Sequence, residues 1–249
     1  HHAAIEPHVA IADFAPNGKL TVYSPCQNTF AFRVIMSRIF GLSYNRIRMV
    51  APAIGGAFGG KLEVTVEPVA AVLSQMTGKP VKGEDNRKES ILSTRVRHAS
   101  VNYVKTGFMK DGTLKAVDFK VYTNTGAYAS SALNVSGAMS HKVFKAYKID
   151  HMRFQCQPVY TNTEIAGAMR GYGSPQVYFG WQRQMQKIAD FLHMDMADLQ
   201  MKNMVDPDSC DPIFHKPHGN SRPKDCLKRA LELIDYEACL KEQEATRNQ

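Results

Sequence analysis

Two glycine-rich segments constrain this chain more than any other feature of its sequence. The first is Gly55-Gly56-Ala57-Phe58-Gly59-Gly60-Lys61, and the second is Ala168-Met169-Arg170-Gly171-Tyr172-Gly173-Ser174-Pro175-Gln176. Glycine at that density weakens helix and strand interiors and lets the backbone turn sharply or approach a neighbour closely. Each segment carries a basic residue and stands between an apolar, strand-like run and a helix-like run. A helix N-terminus behind such a loop favours an anion. Two loops of this kind imply one bulky, phosphate-bearing ligand gripped from two sides.

The remaining composition narrows the function classes. A chain of 249 residues with 44% hydrophobic and 22% charged residues can build a real core and is not globally disordered. Its net charge of +8 is scattered rather than blocked, so it suits acidic partner subunits or anionic ligands and does not point to nucleic acid. Five cysteines without CxxC spacing support neither a disulfide framework nor a zinc site, and unpaired thiols fit a reducing cytoplasm. No uninterrupted apolar run has transmembrane length, and the start lacks the pattern of a signal peptide. His1-His2 fits a tag remnant, while the absent initiator Met fits a piece of a larger chain.

The chain reads as α+β, with mixed strands and helices in two-layer α/β subdomains, because strict strand–helix alternation is missing. Strands are expected over 8–13 and 19–24, joined by a turn at 15–18. A helix capped by Asn28 or Thr29 runs through Phe32, Ile35, Met36, Ile39 and Phe40 to a stop at Gly41. Strand 46–51, the first loop, helix 66–76 and strand 79–84 follow. A long hairpin turns at Lys110-Asp111-Gly112 between strands 100–109 and 113–125, and 149–160 is a further strand. Helices are expected over 175–194, 196–204 and 225–243, with a loop over 206–223. The approximate subregions are 1–97, holding the first loop, 98–160, holding the hairpin, and 161–249, holding the second loop and helical tail.

The first loop formally opens like a phosphate-binding P-loop, but Leu62 stands where such a loop needs Ser or Thr for magnesium. Neither loop has GxGxxG spacing, so the dinucleotide fingerprint also fails. The first segment does resemble the GGGFGGK signature of the molybdenum-binding subunit of the xanthine dehydrogenase and aldehyde oxidase family. The second is similar to that family's AFRGFGGPQ signature, with Met169 and Tyr172 as substitutions. Ser24-Pro25-Cys26-Gln27-Asn28 resembles its S-x-Q-N segment, and His2-Ala3-Ala4-Ile5-Glu6-Pro7 its H-x-x-hydrophobic-E-P opening. The four matches occur in family order across residues 2–176, and Leu199-Gln200-Met201-Lys202-Asn203 continues the likeness.

The resemblance implies the first molybdopterin-binding domain of a larger molybdenum hydroxylase. Such enzymes hydroxylate an N-heterocycle, such as xanthine or hypoxanthine, or an aldehyde, with oxygen from water. Electrons leave through 2Fe-2S clusters to FAD in partner subunits or domains. The implied cofactor is molybdenum-molybdopterin, in its simple or cytosine dinucleotide form. The cofactor-binding residues carried over are Gln27, Phe58, Gly59, Gly60, Arg170, Gly171 and Gly173. Gln27 and Phe58 lie near molybdenum, with no direct protein ligand to the metal. Arg170 is the substrate-side residue, holding a carbonyl or stabilising charge that develops on the ring. Lys61 reads as an ordinary surface lysine, and Gln176 as an added polar contact.

Two departures qualify this. Purine-specific members place Glu directly after the GFGGK lysine, whereas this chain has Leu62 there and Glu63 one step later. Glu67 is expected to support a helix instead. The family's catalytic glutamate sits in a Gly-Glu segment far downstream, and Gly83-Glu84 lies in the wrong order to replace it. The implied base therefore lies outside this sequence, and the isolated piece is expected to hold no cofactor stably and to be inactive. Alternatives are an aldehyde oxidase-type or other heterocycle hydroxylase, and a non-catalytic domain that docks partner subunits.

Overall fold

The computed structural model describes residues 1–211 and 214–246, in which the chain forms two compact units, each discontinuous in sequence. Unit 1 comprises His1–Ala99, Thr123–Ser136 and Pro158–Gly173, and unit 2 comprises Ser100–Tyr122, Gly137–Gln157 and Ser174–Gln249. These units cut across the three consecutive subregions read from the sequence.

Unit 1 is built on a four-stranded sheet of order β3-β2-β1-β4, with β1 Val9–Phe14, β2 Leu20–Tyr23, β3 Ile47–Val50 and β4 Val81–Glu84. The 15–18 turn closes β1 onto β2 antiparallel, and Gly18 supplies the left-handed φ of +77° that it needs. β2 runs parallel to β3, which requires a crossover, and helix α1 (Thr29–Phe40) provides it. Asn28 is the cap, accepting from Ala31 N–H, and Gly41 ends the helix at φ +62°. The buried stripe of α1 is narrower than its apolar pattern: Phe32 and Met36 are buried, whereas Ile39 is exposed.

Helix α2 (Glu67–Thr77) lies on β1 through small residues. Ala10 and Ala12 meet Ala70 and Ala71 in a core completed by Leu20, Val22, Met36 and Ile47. Short side chains on both surfaces let helix and sheet approach closely, and one added methylene would be felt there. Ser74, fully buried, accepts from Phe14 N–H and donates to Lys79 O, stitching the end of α2 to the sheet.

Beyond the sheet, α3 (Arg87–Ser93) has a full capping box between Asn86 and Glu89. A two-stranded parallel ladder then joins β5 (Val96–Arg97) to β9 (Ala166–Gly167). This ladder places the second glycine loop, which begins at Ala168, within unit 1.

Unit 2 holds the three-stranded sheet β6-β7-β8, formed by Ser100–Phe108, Leu114–Gly126 and His151–Tyr160, with the last residues of β7 and β8 belonging to unit 1. The Asp-Gly hairpin is present, with Gly112 at φ +84°. Val117, Phe119 and Val121 of β7 alternate into the core, and Leu114 at the strand's start is buried as well. They are joined there by Met139 and Val143 of α4 (Ala132–Val143), by Trp181, Met185 and Ile188 of α5 (Ser174–Leu192), and by Leu199 of α6 (Met196–Asn203). Tyr147 packs edge-on against Trp181, and its hydroxyl accepts from Gln182.

Two expectations change. α3 and α4 lie where no helix was expected. The single helix expected over 225–243 is two, α7 (Pro223–Leu233) and α8 (Tyr236–Thr246), because Asp235 takes a left-handed φ of +48° that breaks the ladder. The helix expected over 66–76 is present as α2, one residue further along, after irregular residues 62–66. Within the 206–223 loop, residues 212 and 213 lie outside the described residues.

Asn203 is the polar keystone of unit 2. Buried to 3% exposure, it accepts from Leu114 N–H at 2.9 Å and donates to Gly112 O and Leu199 O at 2.9 and 2.8 Å. Asn203→Leu should destabilise the chain by roughly 2–4 kcal/mol, since Leu114 N–H and Gly112 O are then buried without partners. A urea midpoint unchanged from the parent chain would refute this.

Unit 1 buries three imidazoles, His2, His8 and His98, and burial lowers the pKa of two of them. His98 Nδ1 donates to Asn124 O at 2.8 Å, and burial pushes its pKa below the ordinary 6.5. Burial lowers His2 in the same way. The unfolded chain therefore binds more protons below pH 6.5, and stability should fall as pH drops from 6.5 towards the depressed folded values. Thermal melts at pH 7.5, 6.5 and 5.5 would show it, and His98→Gln should flatten the decline. A flat parent profile would count against it.

Candidate functional site

The first glycine loop is a run of tight turns whose glycines each face a specific neighbour. A Cβ on Gly55 would fall 2.5 Å from Glu6 Cβ, and one on Gly56 would fall 3.3 Å from Ala4 Cβ. One on Gly60 would press on the His2 ring at 3.0 Å. Gly59, at φ +98°, is the most confined, because a Cβ there would lie 2.6 Å from the Ala168 carbonyl oxygen of the second loop. The two signatures, more than a hundred residues apart in sequence, are thus in van der Waals contact through the absence of a side chain at Gly59.

Ion pairing fixes the loop's end. Lys61, expected at the surface, is 4% exposed, and its Nζ meets Glu6 Oε2 at 2.5 Å. The same carboxylate oxygen accepts from Gly55 N–H at 3.0 Å. Burial works to raise the Glu6 carboxyl, but the hydrogen bonds from Lys61 and Gly55 outweigh it and hold the group below its ordinary value. A lysine committed in this way is not a phosphate-binding P-loop lysine, which removes the nucleotide reading.

The exposed residues form one connected row. Gln27 Oε1 accepts from Gly59 N–H at 2.9 Å, which fixes the amide's orientation and leaves its NH₂ as the end offered outward. Phe58 stands at φ +54° and is 47% exposed. The Arg170 guanidinium lies 6.0 Å from that ring's centroid, within cation–π range. Arg170 is exposed, and among the described residues no carboxylate pairs with it. Its main chain is held by Arg97, whose Nη2 donates to Arg170 O at 2.7 Å. Tyr172 in the second loop mirrors Phe58, an aromatic residue at φ +44° between Gly171 and Gly173, both at φ +91°. Left-handed aromatics of this kind cost about 1–2 kcal/mol each and persist only where their surroundings enforce them.

The other expected site residues divide. Gly171 is exposed beside Arg170, whereas Gly173 is buried. Gly60 faces inward, its carbonyl accepting from His8 Nε2 at 3.0 Å and its N–H bonded to Ala57 O. Gln176 is buried within α5 in unit 2. Glu63 is engaged by Arg95 at 3.1 Å and by the Ser130 hydroxyl at 2.6 Å. Glu67 supports the start of α2 as expected, accepting from Ser24 Oγ and Thr65 N–H. Glu84 lies on β4 paired with Lys82. The sequence pattern left His2, Glu6 and Arg97 without roles, although the His-x-x-x-Glu-Pro segment marked the first two.

The donor set suits a large anionic, oxygen-rich group: a neutral amide, a guanidinium and a flat aromatic ring, with no carboxylate among them. Among the described residues, no group of three or more His, Cys, Asp or Glu side chains could hold a metal ion. None of the helices among them is long and apolar enough to cross a membrane.

Comparison with known proteins agrees with this geometry. Residues 1–204 match the molybdopterin cofactor-binding domain family. Over 237 residues, 95% of this chain, it is 31% identical to the xanthine dehydrogenase molybdenum-binding subunit of Escherichia coli O157:H7, of which it covers 32%. Over 202 residues, 81% of this chain, it is 35% identical to the nicotinate dehydrogenase large molybdopterin subunit of Eubacterium barkeri, covering 48% of that subunit. The aldehyde oxidoreductase from Desulfovibrio gigas superposes with a TM-score of 0.89 at 29% identity, over 98% of this chain and 27% of that one. The chain thus spans between about a quarter and about half of these relatives. With its two signature loops in contact and its match running from the first residue through α6, the chain belongs to the molybdopterin cofactor-binding domain family.

Proposed function

We propose that this chain forms one wall of the active site of a molybdenum hydroxylase acting on an N-heterocycle, with a purine such as xanthine or hypoxanthine as its substrate. The observation that carries this reading is Arg170, exposed, without a carboxylate partner among the described residues, and set beside Phe58. Its planar fork matches a ring carbonyl and stabilises negative charge developing on the ring. Because Glu63 is held by Arg95 and Ser130, recognition on this wall rests with Arg170 rather than with a paired carboxylate.

The cofactor-facing residues are Gln27, Phe58, Gly59, Arg170 and Gly171. Bound there, the molybdenum cofactor supplies the two-electron oxidation and the water-derived oxygen of the hydroxylation. Gln27 offers a neutral donor that adds no charge, and Phe58 excludes water from one side. The likeness to a xanthine dehydrogenase and a nicotinate dehydrogenase subunit supports a heterocyclic substrate, and that to an aldehyde oxidoreductase supports an aldehyde as the second reading. The catalytic glutamate, the remainder of the cofactor site, and the iron–sulfur and FAD partners are proposed to lie outside these 249 residues.

Arg170→Met in the complete enzyme should lower kcat/KM for purines about 10²–10³-fold while leaving molybdenum content near the parent level. Unchanged purine oxidation would remove Arg170 from the substrate role. Gly59→Ala should destabilise the loop pair by roughly 2–4 kcal/mol, through both its φ and its approach to Ala168. It should also strip molybdenum from the purified subunit. Parent-level metal content by elemental analysis would contradict the packing role assigned to Gly59.

A further inference from the structure

The residues ahead of β1 carry chemistry that the hydroxylase reading leaves unused. His2, Glu6 and His8 each end on the backbone or the lysine of a glycine loop. Glu6 takes Gly55 N–H and Lys61 Nζ on Oε2, and its own N–H donates to Gly55 O at 3.1 Å. His8 Nε2 donates to Gly60 O, and His2 Nε2 donates to Ala168 O at 2.8 Å. Arg87 of α3 pins the segment from behind, its Nη2 donating to Ile5 O at 2.8 Å. The first loop is therefore held at both ends and the second at one point, all by a single stretch of chain.

We propose that residues 2–8 form a positioning strap and that Glu6 is its principal positioning residue, fixing the first loop so that Phe58 stands in register with Arg170. The consequence for turnover rests on the hydroxylase reading; the coupling of the loops does not.

The physical reason lies in Lys61. Without the Glu6 carboxylate, a nearly inaccessible ammonium has no counter-charge, and burial of an unpaired charge is strongly disfavoured. Lys61 must then turn outward. Its neighbour Gly60 is wedged against His2, and Gly59 against Ala168, so the movement reaches the second loop. Among the described residues, Glu6 itself hydrogen-bonds only to first-loop residues. A response in the second loop is therefore the signature of positioning rather than of local support.

Amide exchange resolved by NMR on this chain tests the coupling. Gly59 N–H is bonded to Gln27, and Tyr172 N–H to Met169 O at 2.7 Å. Glu6→Ala should accelerate exchange at both amides about tenfold or more, while the amides of α5 in unit 2 keep their parent rates. Glu6→Ala with Lys61→Met, which removes the stranded charge, should restore much of the protection at Tyr172, and Glu6→Gln, which keeps an acceptor for Gly55 but no counter-charge, should lie between Glu6→Ala and the parent chain. Parent-like exchange at Tyr172 in Glu6→Ala overturns the proposal, as does a uniform rise that includes α5.

In the complete molybdenum subunit, Glu6→Gln and Glu6→Ala should give a graded loss of kcat per bound molybdenum, roughly tenfold for Ala. Unchanged kcat per molybdenum with reduced metal loading would make Glu6 merely structural and overturn its positioning role. A parent subunit devoid of molybdenum would instead sink the hydroxylase reading and leave the exchange result standing.

Discussion

The contact between the half-buried Glu6 carboxylate and the buried Lys61 ammonium is the constraint on which the rest of the site depends. A lysine at 4% exposure is sustainable only with a partner, and that partner also binds Gly55 N–H at the other end of the same loop. One oxygen atom thereby closes the loop into a ring. Phe58 is carried on that ring in a conformation that an unconstrained chain would leave, and Gly59 is brought to the distance at which Gln27 captures its amide.

Seen this way, the glycines of the first signature serve the protein before they serve a ligand. Gly55, Gly56 and Gly60 accommodate the segment ahead of β1, and Gly59 accommodates the second loop. What faces outward is a short row of Gln27, Phe58 and Arg170. Close approach between backbones, which glycine density advertises, is used here chiefly to build a rigid support, and the side chains at its rim are the ones proposed to carry the chemistry.

Much of this was legible in sequence. The turn at 15–18, the Asn28 cap and the Asp-Gly hairpin are local signals with a local physical cause, and each is present. α3 carried such a signal too, in Asn86 and Glu89 three residues apart, but its seven residues were too short and polar for periodicity to reveal. α4 was obscured because its buried stripe of Ala132, Val135, Met139 and Val143 is interleaved with Ser, Gly and Asn, which suggest a loop. The long-range facts were not legible. Nothing near Lys61 foretells burial, since its partner lies 55 residues away, and the engagement of Glu63 depends on Arg95 and Ser130. The motif order identified the residues, but their pairing is a property of the fold.

The bond from His2 to Ala168 spans 166 positions of sequence. On a ribosome, the imidazole emerges long before its acceptor, with the whole first sheet and the hairpin made in between. Contacts of such separation form late and slowly, because the intervening loop must be closed before they repay its entropy. The four-stranded sheet can condense early, but the paired loops cannot be completed until β9 has added to β5. During that interval His2 is without its final partner, whereas Glu6 and Lys61, only 55 residues apart, can already pair. The part of the molecule most exactingly arranged in the finished protein is the part that nascent chains are left to protect the longest.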